Sequence, residues 1–271
     1  MSRGYIVPIG GAEEKIRDAA ILKRFVAICG GDAARIAVIP TASRLEDTGP
    51  RYVEVFEKMG VAHAVSLPFV ERSDCAREEW LEELRGATGV FMTGGNQLRL
   101  STTIGGTAVA DLLRHRNRED SLHVGGTSAG ASVMSEHMIA YGAEGATPRS
   151  DMVQLAPGFG LTHEMIVDQH FQQRDRLGRL LSALAFNPRP IGIGLDEDTA
   201  AFIDPDYLMT VVGSGAITIV DPSDMEHSSM DSAHTHSPVS VIGIRLHVLT
   251  EGCTFDIRTR RAAHGPSRAS T

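Results

Sequence analysis

Cysteine is scarce in this chain: three residues in 271, at Cys29, Cys75 and Cys253. The number is odd, the spacing is wide and no C-x-x-C occurs. Neither a zinc ribbon nor a redox pair is therefore indicated, and the three are read as buried or incidental thiols. Long hydrophobic runs are also missing. A stretch such as Ile36 to Pro40 is far too short to span a bilayer. The N-terminal MSRGYIVPIGG lacks the apolar core of a secretory signal. These absences predict a cytoplasmic protein without a membrane segment. Positive charge is in deficit, with 26 Lys and Arg against 34 Asp and Glu, a formal net charge of −8 and a pI near 5.8. General nucleic-acid binding has no support in that balance, although a local basic site is compatible with it. No internal repeat and no useful linker divides the sequence. A single domain over residues 1–271 is expected, and 42% hydrophobic residues suffice for its core.

What is present is a regular alternation. Strands are predicted at Tyr5 to Ile9, Ile36 to Pro40, Ala64 to Pro68, Gly89 to Met92 and Leu122 to Gly125. Amphipathic helices are predicted between them, at Asp18 to Ile28, Tyr52 to Met59, Ala76 to Leu84 and Thr107 to Arg114. This β-α rhythm implies a mainly parallel, helix-covered sheet. After Pro188 the texture becomes β-rich, with strands predicted at Ile191 to Ile203, Tyr207 to Val212, Ala216 to Val220, Val239 to Leu249 and Cys253 to Arg258. Gly213-Ser214-Gly215 reads as a hairpin turn and Glu251-Gly252 as another turn. These strands are expected to extend or flank the first sheet. Ser223 to Pro238 reads as a mobile polar loop, and the tail from Arg260 to Thr271 as frayed.

One short motif carries chemistry. Ser128 lies in Gly126-Thr127-Ser128-Ala129-Gly130, a G-x-S-x-G fed by a predicted strand and followed by helix-compatible residues. That context fits a nucleophile elbow. The Ala129 N–H, one residue past the serine, is the natural first oxyanion donor. Thr93-Gly94-Gly95-Asn96-Gln97 is a second glycine turn after the preceding strand. In a parallel sheet both turns emerge at the same edge, which makes Gly95 a second donor.

A serine nucleophile needs a base, and the base needs an orienting acid. His170, in Val167-Asp168-Gln169-His170-Phe171, has the most distinctive setting of the eleven histidines, at an apolar-led strand end before a helix near Asp175. His163 is close by in a plainer context. His234 and His236 sit in the polar loop with no third ligand in view, so no metal is expected. The acid is open at this point among Asp168, Asp196, Glu197 and Asp198. The chain order, with the best acids after the histidine, disfavours an ordinary lipase or esterase unless Glu136 or Asp151 serves as an earlier acid. Arg174, Arg176 and Arg179 crowd beside His170 and are suited to holding carboxylates.

Taken together, Gly126 to Ala131, Asp168 to Phe171 with the three arginines, and Gly192-Ile193-Gly194-Leu195-Asp196-Glu197 resemble the cyanophycinase family of dipeptidase E-like serine peptidases. Ile9 to Glu13, Ile39 to Ser43 and Thr93 to Gln97 resemble it as well. The resemblance spans roughly Gly4 to Arg258. It implies an α/β three-layer sandwich related to class I glutamine amidotransferases, with a mainly parallel central sheet, a nucleophile elbow and a β-rich C-terminal extension. It implies Ser128 as nucleophile, His170 as base, Glu197 as orienting acid, and Gly95 and Ala129 as oxyanion donors. Gln97, Asp168, Gln169, Arg174, Arg176 and Arg179 match substrate-pocket positions. The implied activity is serine exopeptidase cleavage of cyanophycin, a poly-aspartate carrying arginine on each β-carboxyl, to β-Asp-Arg. No cofactor is implied, and a homodimer is. An aspartyl dipeptidase is the neighbouring alternative, and the arginine block favours the polymer.

Overall fold

The computed structural model describes residues 2–265. The first half alternates as its periodicity predicts: β1 (Ile6–Ile9), α1 (Ala20–Ile28), β2 (Arg35–Ile39), α2 (Thr48–Lys58), β3 (His63–Ser66), α3 (Glu78–Gly86), β4 (Gly89–Met92), α4 (Gln97–Ile104), α5 (Ala108–Glu119), β5 (His123–Thr127) and α6 (Ala129–Ser132). Helix α4 was not expected. Its signal was the asparagine before it, since the Asn96 side chain accepts from the Leu98 N–H at 2.9 Å and caps the helix. A hairpin follows, β6 (His137–Gly142) and β7 (Val153–Pro157), then β8 (Met165–Gln169) and α7 (Leu177–Phe186). The C-terminal strands are β9 (Ile191–Leu195), β10 (Thr199–Ile203), β11 (Leu208–Gly213), β12 (Ile217–Asp221), β13 (His227–Ser228), β14 (Val241–Ile242), β15 (Arg245–Leu249), β16 (Thr254–Asp256) and β17 (Arg261–Ala263).

The large sheet runs β17-β16-β11-β10-β1-β5-β4-β2-β3. Its half from β1 to β3 is parallel, and β10, β11, β16 and β17 extend it antiparallel beyond β1. Alternate residues of its strands enter opposite cores. Ala37, Ile39, Val90 and Met92 pack under α3, α4 and α5 with Leu84, Leu100 and Leu113. Ile36, Val38 and Phe91 pack under α1 and α2 with Leu22, Phe25 and Phe56. Burial on both faces explains why these strands read as continuous apolar runs.

A second sheet, β15-β12-β9-β8, lies against the antiparallel half of the first. Ile193, Leu195, Ile217 and Ile219 meet Ala201, Ile203 and Val211 between the sheets, and α7 covers the outer face through Leu180 and Leu184. Two sequence expectations change here. Ile191 to Ile203 is two strands in different sheets, broken at the acidic trio, where Asp198 takes φ 50°. Gly213-Ser214-Gly215 does not close a hairpin, because β11 pairs with β10 while β12 pairs with β9. Glu251-Gly252 is a turn as expected, and it too links strands of different sheets. In each case a short turn carries the chain from one sheet to the other, which local alternation does not encode. The segment from Ser223 to Pro238 carries β13, paired with β14, and its Pro238 bridges to Arg149. Arg261–Ala263 of the tail pairs with β16, and residues 266–271 lie outside the described residues.

Candidate active site

β5 ends at the serine. Ser128 holds φ 53° and ψ −110°, a strained conformation between strand and helix, and its N–H is tied to the Ile9 carbonyl at 2.9 Å. The flanking glycines permit the turn, since a Cβ on Gly126 would stand 2.4 Å from the Gly130 carbonyl oxygen. β4 is parallel to β5 and beside it, so the two glycine turns emerge together. A Cβ on Gly94 would lie 3.3 Å from Ser128 Cβ. Neither the Gly95 N–H nor the Ala129 N–H finds a protein acceptor among the described residues.

β8 ends at the histidine. His170 takes φ 48° and its N–H donates to the Gly10 carbonyl at 2.9 Å. Its Nε2 lies 3.0 Å from Ser128 Oγ, and its Nδ1 lies 2.6 Å from Glu197 Oε1. Of the acidic trio, Asp196 accepts the backbone N–H groups of Gln172 and Ala216. Asp198 accepts from Glu14 N–H and the Ser214 hydroxyl. These two brace the turn and Glu197 reaches the imidazole. The other acids weighed from sequence are engaged elsewhere: Glu136 with His163, Asp151 with His236, and Asp168 with Arg179. Among the described residues no group of three His, Cys, Asp or Glu side chains is placed to hold a metal ion.

Burial holds the His170 imidazole below its ordinary value of 6.5. The Glu197 hydrogen bond opposes that shift, and the Arg174 charge adds to it. A histidine base must be neutral to accept a proton, so activity falls as pH drops through this pKa. The acid limb of kcat/KM is expected below pH 6.5. Arg174→Ala removes a positive neighbour, raises the imidazole pKa and should move that limb to higher pH. A pH–rate profile that does not move would show that Arg174 exerts no field on the base.

The substrate-pocket positions divide in two. Arg174 is exposed beside His170. Asp168, Gln169, Arg176 and Arg179 are buried and bond one another. Arg179 Nε donates to Asp168 Oδ2 at 2.6 Å and Arg179 Nη2 to Oδ1, while Arg176 Nη1 donates to Gln169 Oε1 at 2.9 Å. In this arrangement Asp168, fully buried, is paired with Arg179. A buried carboxylate requires such a partner. The i, i+3 pair Arg176 and Arg179 likewise points inward. Burial pulls the Arg176 guanidinium down to about 10 despite Asp168, and its Nε has no acceptor among the described residues. Gln97 donates its amide N–H groups to the Ile139 and Ala140 carbonyls, clamping the β6–β7 hairpin.

Two residues were quoted in the sequence motifs without a role. Glu13 is buried and accepts from the hydroxyls of Thr127 and Tyr52, with Lys15 Nζ 3.1 Å away. It therefore fixes the strand end from which Ser128 projects. Gly11, at φ 104°, lies flat on the imidazole, where a Cβ would come within 2.4 Å of His170 Cε1. Gly11→Ala should displace the ring and lower kcat by about 10²-fold, the scale of a 1 Å misplacement, while circular dichroism stays native. Unchanged kcat would refute the close approach. The glycine pair after β1 was a visible signal, but nothing local tied it to a residue 159 positions away.

A serine hydrolase with a nucleophile elbow on an α/β sheet is the class that this fold and this side-chain geometry define. The model of peptidase family S51 matches residues 6–211, and the chain belongs to that family of serine-type peptidases. It is 42% identical over 267 residues to a cyanophycinase of Trichormus variabilis, covering 98% of this chain and 90% of that protein. It is 41% identical over 263 residues to a cyanophycinase of Synechococcus elongatus, covering 97% and 82%. Among solved structures, a peptidase from an acI-B1 actinobacterium superposes with a TM-score of 0.69 at 23% identity, covering 94% of this chain and 97% of that one.

Proposed function

We propose that this protein is an exopeptidase that degrades cyanophycin to β-Asp-Arg through an acyl-enzyme at Ser128. The observation that carries the reading is the line from Ser128 Oγ to His170 Nε2 at 3.0 Å and from His170 Nδ1 to Glu197 at 2.6 Å. With Nδ1–H directed at Glu197, Nε2 accepts the serine proton. Ser128 Oγ then attacks a backbone carbonyl carbon of the poly-aspartate. The oxyanion is held by the N–H groups of Gly95 and Ala129, which have no competing acceptor among the described residues. His170 passes its proton to the departing amine, and water repeats the sequence to release the dipeptide.

The residues around the triad support that substrate. Arg174, exposed beside the base, is suited to a substrate carboxylate. Arg176 is turned inward beneath it and lends its positive charge to the pocket floor rather than a free donor. Gln97, Asp168, Gln169 and Arg179 hold the surrounding elements in place through the bonds described above. No cofactor enters this chemistry. We read the chain as one domain over residues 1–271, because both sheets share one interleaved core. Cytoplasmic location and homodimerisation belong to the same reading. Among the described residues no helix is long and apolar enough to cross a membrane, and the edge strand β15 exposes Leu246 and Val248, a strip suited to a second copy. Incubation with insoluble cyanophycin should release β-Asp-Arg, identified by mass spectrometry. Cleavage of short aspartyl peptides alone would replace the polymer with a dipeptidase substrate.

A further inference from the structure

A cleft of about 600 Å³ opens beyond the C-terminal ends of β2 and β3, against the first turn of α4. Thr41, Arg44, Glu46, Phe69 and Arg99 help to line it. It adjoins the oxyanion turn. The Asn96 N–H donates to the Ala42 carbonyl at 3.0 Å, and a Cβ on Gly95 would lie 2.1 Å from that same oxygen. The residues that follow β2 therefore form a wall shared by the cleft and the Gly95 donor.

The polar groups of this cleft have no role in the mechanism above. Arg44, Glu46 and Arg99 have no side-chain partner among the described residues. The Thr41 hydroxyl is buried and also has none. The Thr41 hydroxyl is sealed behind the wall, so Arg44, Glu46 and Arg99, exposed or half-buried, are the charged groups that a ligand in the cleft would meet. Two unpaired arginines beside one unpaired glutamate, in a chain of net charge −8, suit a ligand that carries both signs. A polyanion would be repelled by Glu46, and a polycation by the arginines. The volume is that of a small-molecule site, lying within about 300–1,000 Å³.

We propose that this cleft is a subsite for the polymer unit next to the scissile one. Arg44 and Arg99 receive the α-carboxylate of its β-linked arginine, and Glu46 receives the guanidinium. The assignment rests on the cyanophycin reading, since each unit of that polymer carries one free carboxylate and one guanidinium. Phe69 supplies an apolar wall for the arginine stem. The subsite makes the enzyme prefer chains of several units, because binding away from the reacting bond adds to the energy available there.

The test is steady-state hydrolysis of synthetic β-Asp-Arg oligomers of two, three and four units. Wild type, Arg44→Ala, Arg99→Ala, Arg99→Lys, Glu46→Gln and the Arg44→Ala/Arg99→Ala double variant are compared. Wild-type kcat/KM should rise with chain length. The double variant should flatten that rise by raising KM on the longer chains about 10- to 100-fold, the scale of charge-assisted hydrogen bonds, with kcat held. Arg99→Lys should recover part of the loss, and Glu46→Gln should raise KM less. Thermal melts check folding. An unchanged length profile in a folded double variant, with wild type active, overturns the subsite alone. Wild type inert on every length overturns the substrate reading and the subsite with it.

Discussion

Ser128→Ala should abolish release of β-Asp-Arg, lowering kcat by about 10⁴-fold or more, as removal of an activated serine does elsewhere. The loss is large because the hydroxyl is the only atom of the site that bonds to the substrate carbon. His170 and Glu197 then have no oxygen to activate, and the Gly95 and Ala129 donors have no tetrahedral oxyanion to hold. Binding should survive, since the hydroxyl contributes one contact of many. The strained φ of 53° at residue 128 is set by the strand-to-helix turn, so alanine inherits it and the melting temperature should change little. The measurement is mass spectrometry of soluble product from insoluble polymer, wild type beside variant. Equal release from both would mean that another residue is the nucleophile. Release by neither would remove the polymer as substrate and leave the Ser–His–Glu geometry without an assigned reaction.

Glu197→Gln should have the next largest effect, a fall in kcat of about 10²- to 10⁴-fold. The shape is conserved and the charge is lost. A glutamine amide can donate to Nδ1 and so favour the tautomer that carries its proton on Nε2, which cannot accept from Ser128. The carboxylate also stabilises the imidazolium that forms during attack, and the amide does not. The same change removes the influences that raise the His170 pKa, so the residual activity should keep its acid limb at lower pH than wild type. This shift is opposite in sign to that of Arg174→Ala. The pair of profiles separates an acid that acts on the base from one that merely holds a loop. Glu197→Gln with wild-type kcat and an unmoved limb would remove Glu197 from the triad.

The parallel half of the fold was legible from sequence because each strand and helix there is marked by the periodicity of its own residues, although the sheet order β1-β5-β4-β2-β3 does not follow the chain. Ile36 to Pro40 and Gly89 to Met92 announced themselves by apolar runs, and Asp18 to Ile28 and Tyr52 to Met59 by amphipathic spacing. The elbow was legible for the same reason: Gly126 to Gly130 is a local turn whose glycines and serine are read within five residues. The C-terminal half was not. Ile191 to Ile203 looks like one strand because both of its parts are apolar on both faces, yet one part lies in each sheet, and Asp196 and Asp198 turn the chain between them by bonds to residues 172, 216, 14 and 214. Pairings of that range are invisible to periodicity.

By itself, then, the sequence determined the kinds of group available and the turns of the parallel half. It supplied a serine on an elbow, a histidine at a strand end, an acidic trio and an arginine block. Only the tertiary structure decided which of them meet. The His170–Glu197 contact spans 27 residues and the Ser128–His170 contact 42, and each depends on where β1, β5, β8 and β9 sit. The arginine block shows the same limit. Three arginines crowd one short stretch of sequence, but burial forces Arg176 and Arg179 onto Asp168 and Gln169 and leaves Arg174 outside. Desolvation makes that choice, because a charge taken from water must find its partner in the core, and which charges are taken from water is a property of the packed sheets.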